Sequence, residues 1–473
     1  MPKLIPREVL FGNPVKASPQ ISPDGTRMAY LAPVNNVLNV WVRTIGQEDD
    51  QPVTQDRDRG IRIYFWAHDN QHILYLQDVG GNENWRLYAV NLETNQVRDL
   101  TPFDEVQVRI IDHNKHFPND LLVAMNKENP QVHDVYHLDL KSGELRRVAK
   151  NPGQFAEWVT DIQLKVRGAL AATPDGGFDL MIRENDNSDW KKLLTWDSDD
   201  SLSSGPVGFT KDSQYLYLKD SRKVNTGRLV KMELTTGKIQ VIAEDPEYDV
   251  DEVVMHPDTN EVQMVSFTRA RTEWIVIDRC IQKDIAAIRK LHRGDFHLLS
   301  RDHADQTWLV GFIVDNGPVS YYAFDRKTKK ATFLFDNKPD LKNYILASMK
   351  PISFTSRDGW TLHGYLTLPP GKSKKNLPTV LNVHGGPWAR DTWGYDPEAQ
   401  WFANRGYVCL QVNFRGSTGY GKNFLNAAIK EWGGQMHDDL VDAVSWAIKE
   451  GIADPKRISI YGGSYGGYAA LVG

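Results

Sequence analysis

The stretch RISIYGGSYGGYAALVG, from Arg457 to Gly473, decides the fold of the last part of this chain. Its first five residues alternate β-branched or aromatic residues with short polar ones, which is typical of a buried strand. The motif GGSYG, from Gly462 to Gly466, follows, and the apolar residues after it indicate the start of a helix. A strand, a tight G-x-S-x-G turn and a helix together predict the nucleophile elbow of an α/β-hydrolase.

Each residue of the motif has a predicted role. Ser464 is the predicted catalytic nucleophile, and the backbone N–H of Tyr465 is the predicted first donor to the oxyanion. Only glycine is expected to fit at Gly462, Gly463 and Gly466, because a side chain at these positions would clash where strand and helix approach each other. The alternative is a glycine-rich turn between strand and helix in which the serine has no function.

A second motif, HGGP from His384 to Pro387, ends the buried strand that begins at Thr379. In α/β-hydrolases the loop after the third strand supplies the second oxyanion donor, and we expect the backbone N–H of Gly386 to be that donor. We expect His384 to brace this loop. The alternative is a turn that only ends the strand.

The catalytic base is not recognisable in the sequence. α/β-Hydrolases place the acid and the histidine of the triad after the serine, but no Asp, Glu or His follows Ser464. His384 belongs to the predicted oxyanion loop, and His437 starts a helix beside Asp438 and Asp439, where a solvated cap is expected. The sequence therefore predicts a nucleophile without its triad partners, and a chain that is inactive alone.

The remainder of the chain predicts a two-domain fold. From residue 18 to about 340, short strands alternate with turns in a repeat of roughly 45 residues, which predicts a seven-bladed β-propeller. The segment Cys280 to His292 predicts a helix inserted in the sixth blade. The alternative, a large β-sandwich, does not keep a fixed repeat over such a length.

The predicted domain boundaries follow from this change of pattern. Residues 1–17 form an N-terminal segment expected to pack on the hydrolase domain, and residues 341–350 form a linker. Residues 351–473 alternate strands and helices, which predicts a doubly wound, mostly parallel sheet. This α/β-hydrolase domain is incomplete after the elbow, because about three further βα units are expected.

Two other sequence patterns resemble known kinds of binding site. The segment GSTGYGKN, from Gly416 to Asn423, nearly matches a phosphate-binding loop, but Asn423 replaces the hydroxyl residue that would hold Mg²⁺. The histidine pairs of the propeller repeats have no third ligand in the sequence; they are His68/His72, His113/His116 and His133/His137. The sequence predicts neither a cofactor nor a metal ion.

Composition excludes several classes of partner. The 473 residues carry a formal net charge of −5, so no broad basic surface for nucleic acid or anionic lipid is indicated. There are only two cysteines, Cys280 and Cys409, which suits a reducing compartment. No secretory signal and no membrane-spanning apolar run are recognisable. The sequence predicts a cytoplasmic protein without a membrane partner.

Four segments of the hydrolase half resemble the prolyl oligopeptidase family of serine peptidases. They are HGGP (384–387), NFRGSTGYG (413–421), DDLVDAVSW (438–446) and GGSYGGY (462–468). Within that family the chain is similar to the acylaminoacyl-peptidase and bacterial dipeptidyl-aminopeptidase-like branch, in which HGGP supplies a backbone oxyanion donor. The resemblance implies hydrolysis of short peptides near their N-terminus, with the propeller excluding folded proteins.

The resemblance leaves several questions open. Acylaminoacyl, dipeptidyl and endo-oligopeptidase specificity, the preference of the first specificity pocket and homo-oligomerisation are not decided by these residues. Two other functions also remain as alternatives: an esterase on the same hydrolase fold, and a propeller binding protein whose hydrolase domain is a non-catalytic relic. The retention of both Gly463 and Ser464 favours the peptidase.

Overall fold

The computed structural model describes residues 2–371 and 375–473, and it begins with a short helix followed by a ring of seven small antiparallel sheets. Helix α1 is Arg7–Phe11. The first four blades are β1–β4 (Ala17–Ile21, Arg27–Val34, Val37–Thr44, Gln51–Pro52), β5–β8 (Ile63–Trp66, His72–Gln77, Arg86–Asn91, Val97–Asp99), β9–β12 (Val108–Asp112, Asp120–Met125, Asp134–Asp139, Leu145–Ala149) and β13–β16 (Phe155–Thr160, Val166–Ala172, Phe178–Ile182, Lys191–Trp196).

Three more blades complete the ring. They are β17–β20 (Gly205–Phe209, Tyr215–Asp220, Arg228–Glu233, Ile239–Ala243), β21–β23 (Val250–Met255, Val262–Thr268, Thr272–Val276) and β24–β27 (Asp295–Arg301, Thr307–Ile313, Ser320–Asp325, Lys330–Asp336). The predicted seven-bladed propeller is therefore confirmed. Its second strands are the most buried ones, because each lies between two strands of its own blade and between two neighbouring blades; all seven residues of β22 are buried.

The sixth blade has three strands, and a helix takes the place of the fourth. A 3₁₀ turn, Arg279–Ile281, leads into helix α2 (Gln282–Ile288). Ile281, Ile285 and Ile288 are buried against the aromatic side chains of the sixth and seventh blades. Three isoleucines at helical spacing thus cover the side of the blade that a fourth strand would otherwise cover.

The ring closes without a shared strand, since every blade is built from consecutive strands. Between the first and last blades, Ile21 N donates a hydrogen bond to Ser300 Oγ at 3.0 Å and Val15 N donates to the Asn337 carbonyl at 2.8 Å. An apolar cluster that includes Met28 packs across the same boundary. Side-chain packing and a few hydrogen bonds therefore hold this junction.

The hydrolase domain follows a short 3₁₀ turn, Pro339–Asn343. Its elements are β28 (Met349–Thr355), β29 (Thr361–Thr367), β30 (Leu377–Val383), α3 (Pro397–Asn404), β31 (Val408–Asn413), α4 (Lys422–Asn426), α5 (Gln435–Lys449), β32 (Ala453–Gly462) and α6 (Tyr465–Val472). The sheet order is β28-β29-β31-β30-β32. The pairs β31–β30 and β30–β32 are parallel, whereas β28–β29 and β29–β31 are antiparallel.

The two faces of this sheet differ in polarity. On one face, apolar residues such as Leu410 and Val383 pack against Leu440 and Ala447 of α5. On the other face, the buried polar side chains of Asn382, Gln411 and Asn413 lie among apolar ones such as Val380 and Cys409. Alternation along each strand sends neighbouring residues to opposite faces, so the polar face is turned towards α3 and the propeller.

The N-terminal segment contacts the hydrolase domain. Ile5 N donates to Asn404 Oδ1 at 2.8 Å, and Arg405 Nη2 donates to the Ile5 carbonyl at 3.1 Å. The ring of Phe11 meets that of Trp401 edge-on, with centroids 5.9 Å apart. None of the helices among the described residues is both long enough and apolar enough to cross a membrane.

Candidate active site

Ser464 lies on a sharp turn between β32 and α6. Its backbone has φ 53° and ψ −120°, a combination that a residue with a side chain rarely adopts, and the residue is exposed. Because of this unfavourable backbone conformation at the end of β32, the Ser464 side chain lies above the edge of the sheet and not within it. The strand, turn and helix predicted around Ser464 are thus present in this order.

The three glycines of the turn differ in what surrounds them. A Cβ atom on Gly462 would lie 2.5 Å from the Val383 carbonyl oxygen, and one on Gly466 would lie 2.1 Å from the same oxygen. Nothing lies within 4 Å of a Cβ atom on Gly463. Contact with the neighbouring strand β30 therefore requires glycine at two positions, and the clash expected at Gly463 is wrong because that position faces open space.

Tyr465, the residue after Ser464, is held by its side chain. It is 3% exposed, and its hydroxyl donates to the Trp432 carbonyl at 3.1 Å. Burial raises the pKa of Tyr465 to about 12, so the hydroxyl stays protonated. Its backbone N–H opens helix α6, where first-turn N–H groups have no acceptor in their own helix. The sequence predicted the N–H donor but not this anchor.

The HGGP loop begins at the end of β30 and lies next to Ser464. A Cβ atom on Gly385 would be 3.2 Å from Ser464 Cβ and 3.8 Å from Ser464 Oγ. Gly386 has φ +122°, in the region that favours glycine. The structure therefore brings together the two motifs that the sequence proposed separately.

His384 holds this loop through both ring nitrogens. Nδ1 lies 2.8 Å from the Gly385 carbonyl oxygen and Nε2 lies 3.0 Å from Ser417 Oγ. Since a carbonyl can only accept, Nδ1 carries the proton and Nε2 accepts from the Ser417 hydroxyl. The ring also stacks on Phe414, with centroids 4.4 Å apart. Burial lowers the pKa of His384 to about 4, so the imidazole is neutral at pH 7.

The other candidate base, His437, lies beside Gly473: a Cβ atom on Gly473 would be 2.9 Å from His437 Cε1. His437 lies in the first turn of α5, half-buried, and its Nδ1 is buried without a hydrogen-bond partner among the described residues. The solvated cap predicted here is wrong for Asp439, which is fully buried, whereas the neighbouring Asp438 is partly exposed. Within residues 2–371 and 375–473, no carboxylate or imidazole hydrogen-bonds to Ser464 Oγ.

Asp439 forms a buried ion pair with Arg415, which is 1% exposed. The guanidinium donates to both carboxylate oxygens, at 2.9 Å from Nε and 2.7 Å from Nη2, and the Arg415 N–H donates at 2.9 Å. Burial is the largest influence on the pKa of Asp439 and raises it, while Arg415 opposes this shift. Asp358 also pairs with Arg415, at 2.8 Å. The pair joins the loop after β31 to helix α5.

The loop after β31, residues 413–421, braces the HGGP loop. Besides the contact between Ser417 and His384, Thr418 N donates to the Ala389 carbonyl at 3.0 Å. This is the segment that nearly matches a phosphate-binding loop. Its lysine, Lys422, is paired instead with Asp200 of the propeller at 2.6 Å.

Several histidines of the propeller contact acidic residues or one another. His72 Nδ1 lies 2.6 Å from an Asp69 oxygen, whereas His68 links His303 at 2.8 Å to His113 at 3.1 Å. Burial lowers the pKa of His68 to about 3 and of His113 to about 4. Among the described residues, no group of three or more His, Cys, Asp or Glu side chains could hold a metal ion.

Comparison with known proteins identifies the family. Residues 393–472 match the sequence profile of the prolyl oligopeptidase family. Over its whole length the chain is 43% identical to dipeptidyl aminopeptidase BIII of Pseudoxanthomonas mexicana, and it covers 69% of that protein. The chain belongs to the prolyl oligopeptidase family. It is 31% identical to dipeptidyl peptidase family member 6 of Caenorhabditis elegans, covering 68% of that protein.

Solved structures share the fold at low identity. A puromycin-hydrolysing peptidase of Mycobacterium tuberculosis has 16% identity and a TM-score of 0.73, with 98% of this chain and 76% of that chain covered. A prolyl endopeptidase structure has 14% identity and a TM-score of 0.75, with 99% and 72% covered. The resemblance inferred from the four motifs is confirmed, and the chain is a serine peptidase of the prolyl oligopeptidase family.

Proposed function

We propose that this prolyl oligopeptidase family member releases dipeptides from the free N-terminus of short peptides, through an acyl-enzyme on Ser464. The single observation that carries the proposal is Ser464 on its elbow beside the HGGP loop. The dipeptidyl specificity is supported by the two relatives that align with nearly all of this chain, which are named a dipeptidyl aminopeptidase and a dipeptidyl peptidase. A relative named acylamino-acid-releasing enzyme aligns with 20% of this chain.

The proposed reaction has two steps. Ser464 Oγ attacks the carbonyl carbon of the second peptide bond while its proton passes to a histidine, and the leaving amine then takes that proton as the C–N bond breaks. Water next attacks the ester carbonyl, its proton passes to the same histidine and then to Ser464 Oγ, and the dipeptide leaves. Because no described histidine reaches Ser464, the histidine and its acid partner must be other groups.

Two backbone donors are proposed for the oxyanion, Tyr465 N–H and Gly386 N–H. The peptide bond between Gly385 and Gly386 is trans, so the Gly386 N–H points away from the Gly385 carbonyl. His384 binds that carbonyl and thereby sets the direction of the N–H. Donors held rigidly in this way lower the barrier because they need no reorientation when the negative charge develops.

The nucleophile is tested by labelling with a fluorophosphonate probe. The protein used is a polypeptide that contains this chain together with the triad acid and histidine, referred to below as the triad-complete enzyme. We expect the probe to label Ser464 alone, and Ser464→Ala to abolish labelling and to lower kcat by a factor on the order of 10⁶. Labelling that survives this substitution would contradict the assignment.

Ser417→Ala is the matched control. Ser417 also forms a serine–histidine hydrogen bond, with His384, but it is fully buried and cannot meet a substrate. We expect the control to remain labelled. Loss of labelling in Ser417→Ala but not in Ser464→Ala would show that Ser417, and not Ser464, is the nucleophile.

Substrate class is tested with three matched substrates. Free dipeptidyl, acylated aminoacyl and simple p-nitrophenyl ester substrates are compared by kcat/KM in the triad-complete enzyme. We expect the free dipeptidyl substrate to be preferred. Preference for the acylated substrate would assign acylaminoacyl specificity, ester turnover alone would favour an esterase, and peptide binding without turnover would favour a binding protein.

We also propose a cytoplasmic location. Cys280 is exposed, Cys409 is buried, and both are free thiols, which fits a reducing compartment. Fractionation of the source cells with an antibody against the chain tests this. Recovery of the protein outside the cytoplasm would contradict it.

A further inference from the structure

The part of the hydrolase domain that surrounds the oxyanion loop is docked on the propeller. Asp249, between the fifth and sixth blades, accepts a hydrogen bond from Gly421 N at 3.1 Å, and Asp249 N donates to the Gly419 carbonyl at 3.1 Å. Lys422 Nζ meets Asp200 at 2.6 Å. The loop that braces HGGP is therefore itself fixed to the other domain.

Arg390 makes a direct connection between the oxyanion loop and the propeller. Its Nη1 donates to the Thr268 carbonyl at 2.8 Å and its Nη2 to the Arg269 carbonyl at 3.2 Å, both at the turn between β22 and β23 of the sixth blade. Nη2 also donates to the Tyr420 hydroxyl at 2.8 Å, and the guanidinium lies 4.3 Å from the centroid of that ring. Its partners thus include two propeller carbonyls and one hydrolase side chain.

These contacts point to a geometrical role for Arg390. No described carboxylate forms an ion pair with Arg390. Its guanidinium therefore fixes the position of the loop relative to two backbone carbonyls and a hydroxyl, and does not neutralise a paired charge. A Cβ atom on Gly419 would lie 2.5 Å from Arg390 Nη1, so this glycine leaves the space that the guanidinium occupies. A cavity of about 320 Å³ adjoins the same side chain at the domain boundary.

Movement of Arg390 would reach the oxyanion loop through a short stretch of tightly held backbone. Arg390 lies four residues after Gly386. Between them, Ala389 N donates to the Pro387 carbonyl at 2.8 Å, and the Ala389 carbonyl accepts from Thr418 N at 3.0 Å. These two hydrogen bonds hold the backbone at Ala389, between Arg390 and Gly386, so we expect withdrawal of the propeller carbonyls from Arg390 to alter the position of the Gly386 N–H.

We propose that Arg390 is a positioning residue through which docking of the sixth propeller blade sets the geometry of the oxyanion loop. This inference rests on the proposed role of the Gly386 N–H. Separation of the two domains removes the Thr268 and Arg269 carbonyls from Arg390 and leaves the loop misplaced, so full activity requires the docked arrangement.

Arg390→Ala in the triad-complete enzyme is the principal test. We expect kcat to fall by about 10- to 100-fold with KM little changed, since displacement of a catalytic donor by about 1 Å costs up to about 10²-fold in rate. Methylguanidine at millimolar concentration should restore part of the lost kcat. Arg390→Lys keeps the charge but not the two-pronged geometry, and we expect an intermediate loss.

Asn426→Ala is the matched control, because it removes another contact between the same domains: Asn426 Nδ2, in helix α4, donates to the Asp199 carbonyl at 2.9 Å. We expect it to leave kcat within about twofold, since the geometry of the oxyanion loop is not touched. Hydrogen exchange of residues 384–390, measured on the chain of 473 residues itself, should accelerate in Arg390→Ala and not in Asn426→Ala.

Three results would overturn the inference: unchanged kcat in Arg390→Ala, an equal loss of kcat in Asn426→Ala, or unchanged exchange in residues 384–390 of Arg390→Ala. If Arg390→Ala fails to fold, the same criteria apply to Arg390→Lys. Failure of the proposed function has a different signature. If the Gly386 N–H is not an oxyanion donor, its replacement by an ester oxygen leaves kcat unchanged, whatever the effect of Arg390→Ala on kcat.

Discussion

The proposed nucleophile elbow at Ser464 and the proposed oxyanion loop at His384–Pro387 lie side by side, but different forces hold them. The elbow depends on the space between two strands, because Gly462 and Gly466 approach the Val383 carbonyl more closely than any side chain allows. The oxyanion loop depends on hydrogen bonds: His384 donates to the adjacent Gly385 carbonyl and accepts from Ser417, and Arg390 donates to two propeller carbonyls. Sterics determine the first site and a polar network the second.

This difference has consequences for how each site responds to change. The stability of the elbow, which is set by steric contacts, should fall when atoms are added at a few positions and should not change with distant substitutions. A network of buried polar groups responds to the loss of any member, because the remaining partners stay desolvated and unpaired. The predictions below separate the two cases, beginning with the largest expected effect on free energy.

Asp439→Ala should have the largest effect on the network. It leaves Arg415 buried with only part of its ion pairing, and loss of one partner of a buried pair costs about 3–5 kcal/mol. The free energy of unfolding of residues 1–473, measured with urea, checks this. Asp438→Ala is the control: Asp438 pairs with Arg357 at the surface, and we expect less than about 1 kcal/mol. Equal effects in both variants would contradict the network description.

Removal of the Gly386 N–H should be the next largest effect. Substitution by proline is a poor probe, because φ +122° is inaccessible to proline and the loop would move. Replacement of the amide by an ester, using glycolic acid at position 386, removes only the donor. We expect kcat of the triad-complete enzyme to fall by about 10²–10³, or about 2.7–4 kcal/mol, with KM little changed. A change in KM alone would mean that the loop binds substrate.

Gly466→Ala compared with Gly463→Ala tests the steric description of the elbow. A methyl group at Gly466 would lie 2.1 Å from the Val383 carbonyl oxygen, whereas Gly463 has open space. We expect Gly466→Ala to lower the free energy of unfolding by about 1–3 kcal/mol and Gly463→Ala to lower it by less than about 1 kcal/mol. Equal stabilities would show that the elbow adapts and that its shape does not depend on this contact.

Ser417→Ala should have the smallest effect. It removes the hydroxyl that His384 Nε2 accepts from and leaves one buried acceptor unpaired, which costs about 0.5–1.5 kcal/mol. Because His384 still donates to the Gly385 carbonyl, we expect labelling of Ser464 in the triad-complete enzyme to continue at a moderately reduced rate. A rate loss as large as that of the Gly386 ester would show that Ser417 acts on the oxyanion donor directly.

Local motifs were sufficient to predict much of the site. GGSYG and HGGP each contain the glycines and the polar residue that their backbone shapes need, so Ser464, Tyr465 and Gly386 could be proposed from sequence alone. Arg390 could not, because nothing near it in the sequence shows that its partners are carbonyls of Thr268 and Arg269, more than a hundred residues earlier. Backbone acceptors carry no signature in the sequence.

The fold shows the same division. The repeat of turns was sufficient to predict seven blades, since each blade is formed by consecutive strands. The burial of Asp439 was missed, because an acidic residue in the first turn of a helix is typically solvated and stabilised by the helix dipole. Only the approach of Arg415 from another loop makes its burial tolerable.

The sequence by itself determined the order of domains, the number of blades and the identity of the elbow serine, because each depends on residues close together in the chain. The tertiary structure alone decided which glycines are sterically required, which serine His384 binds to brace the oxyanion loop and which propeller carbonyls hold Arg390. These depend on distances between segments far apart in sequence, such as Val383 and Gly466 or Arg390 and Thr268. Such distances are set only when the sheet and the propeller pack together.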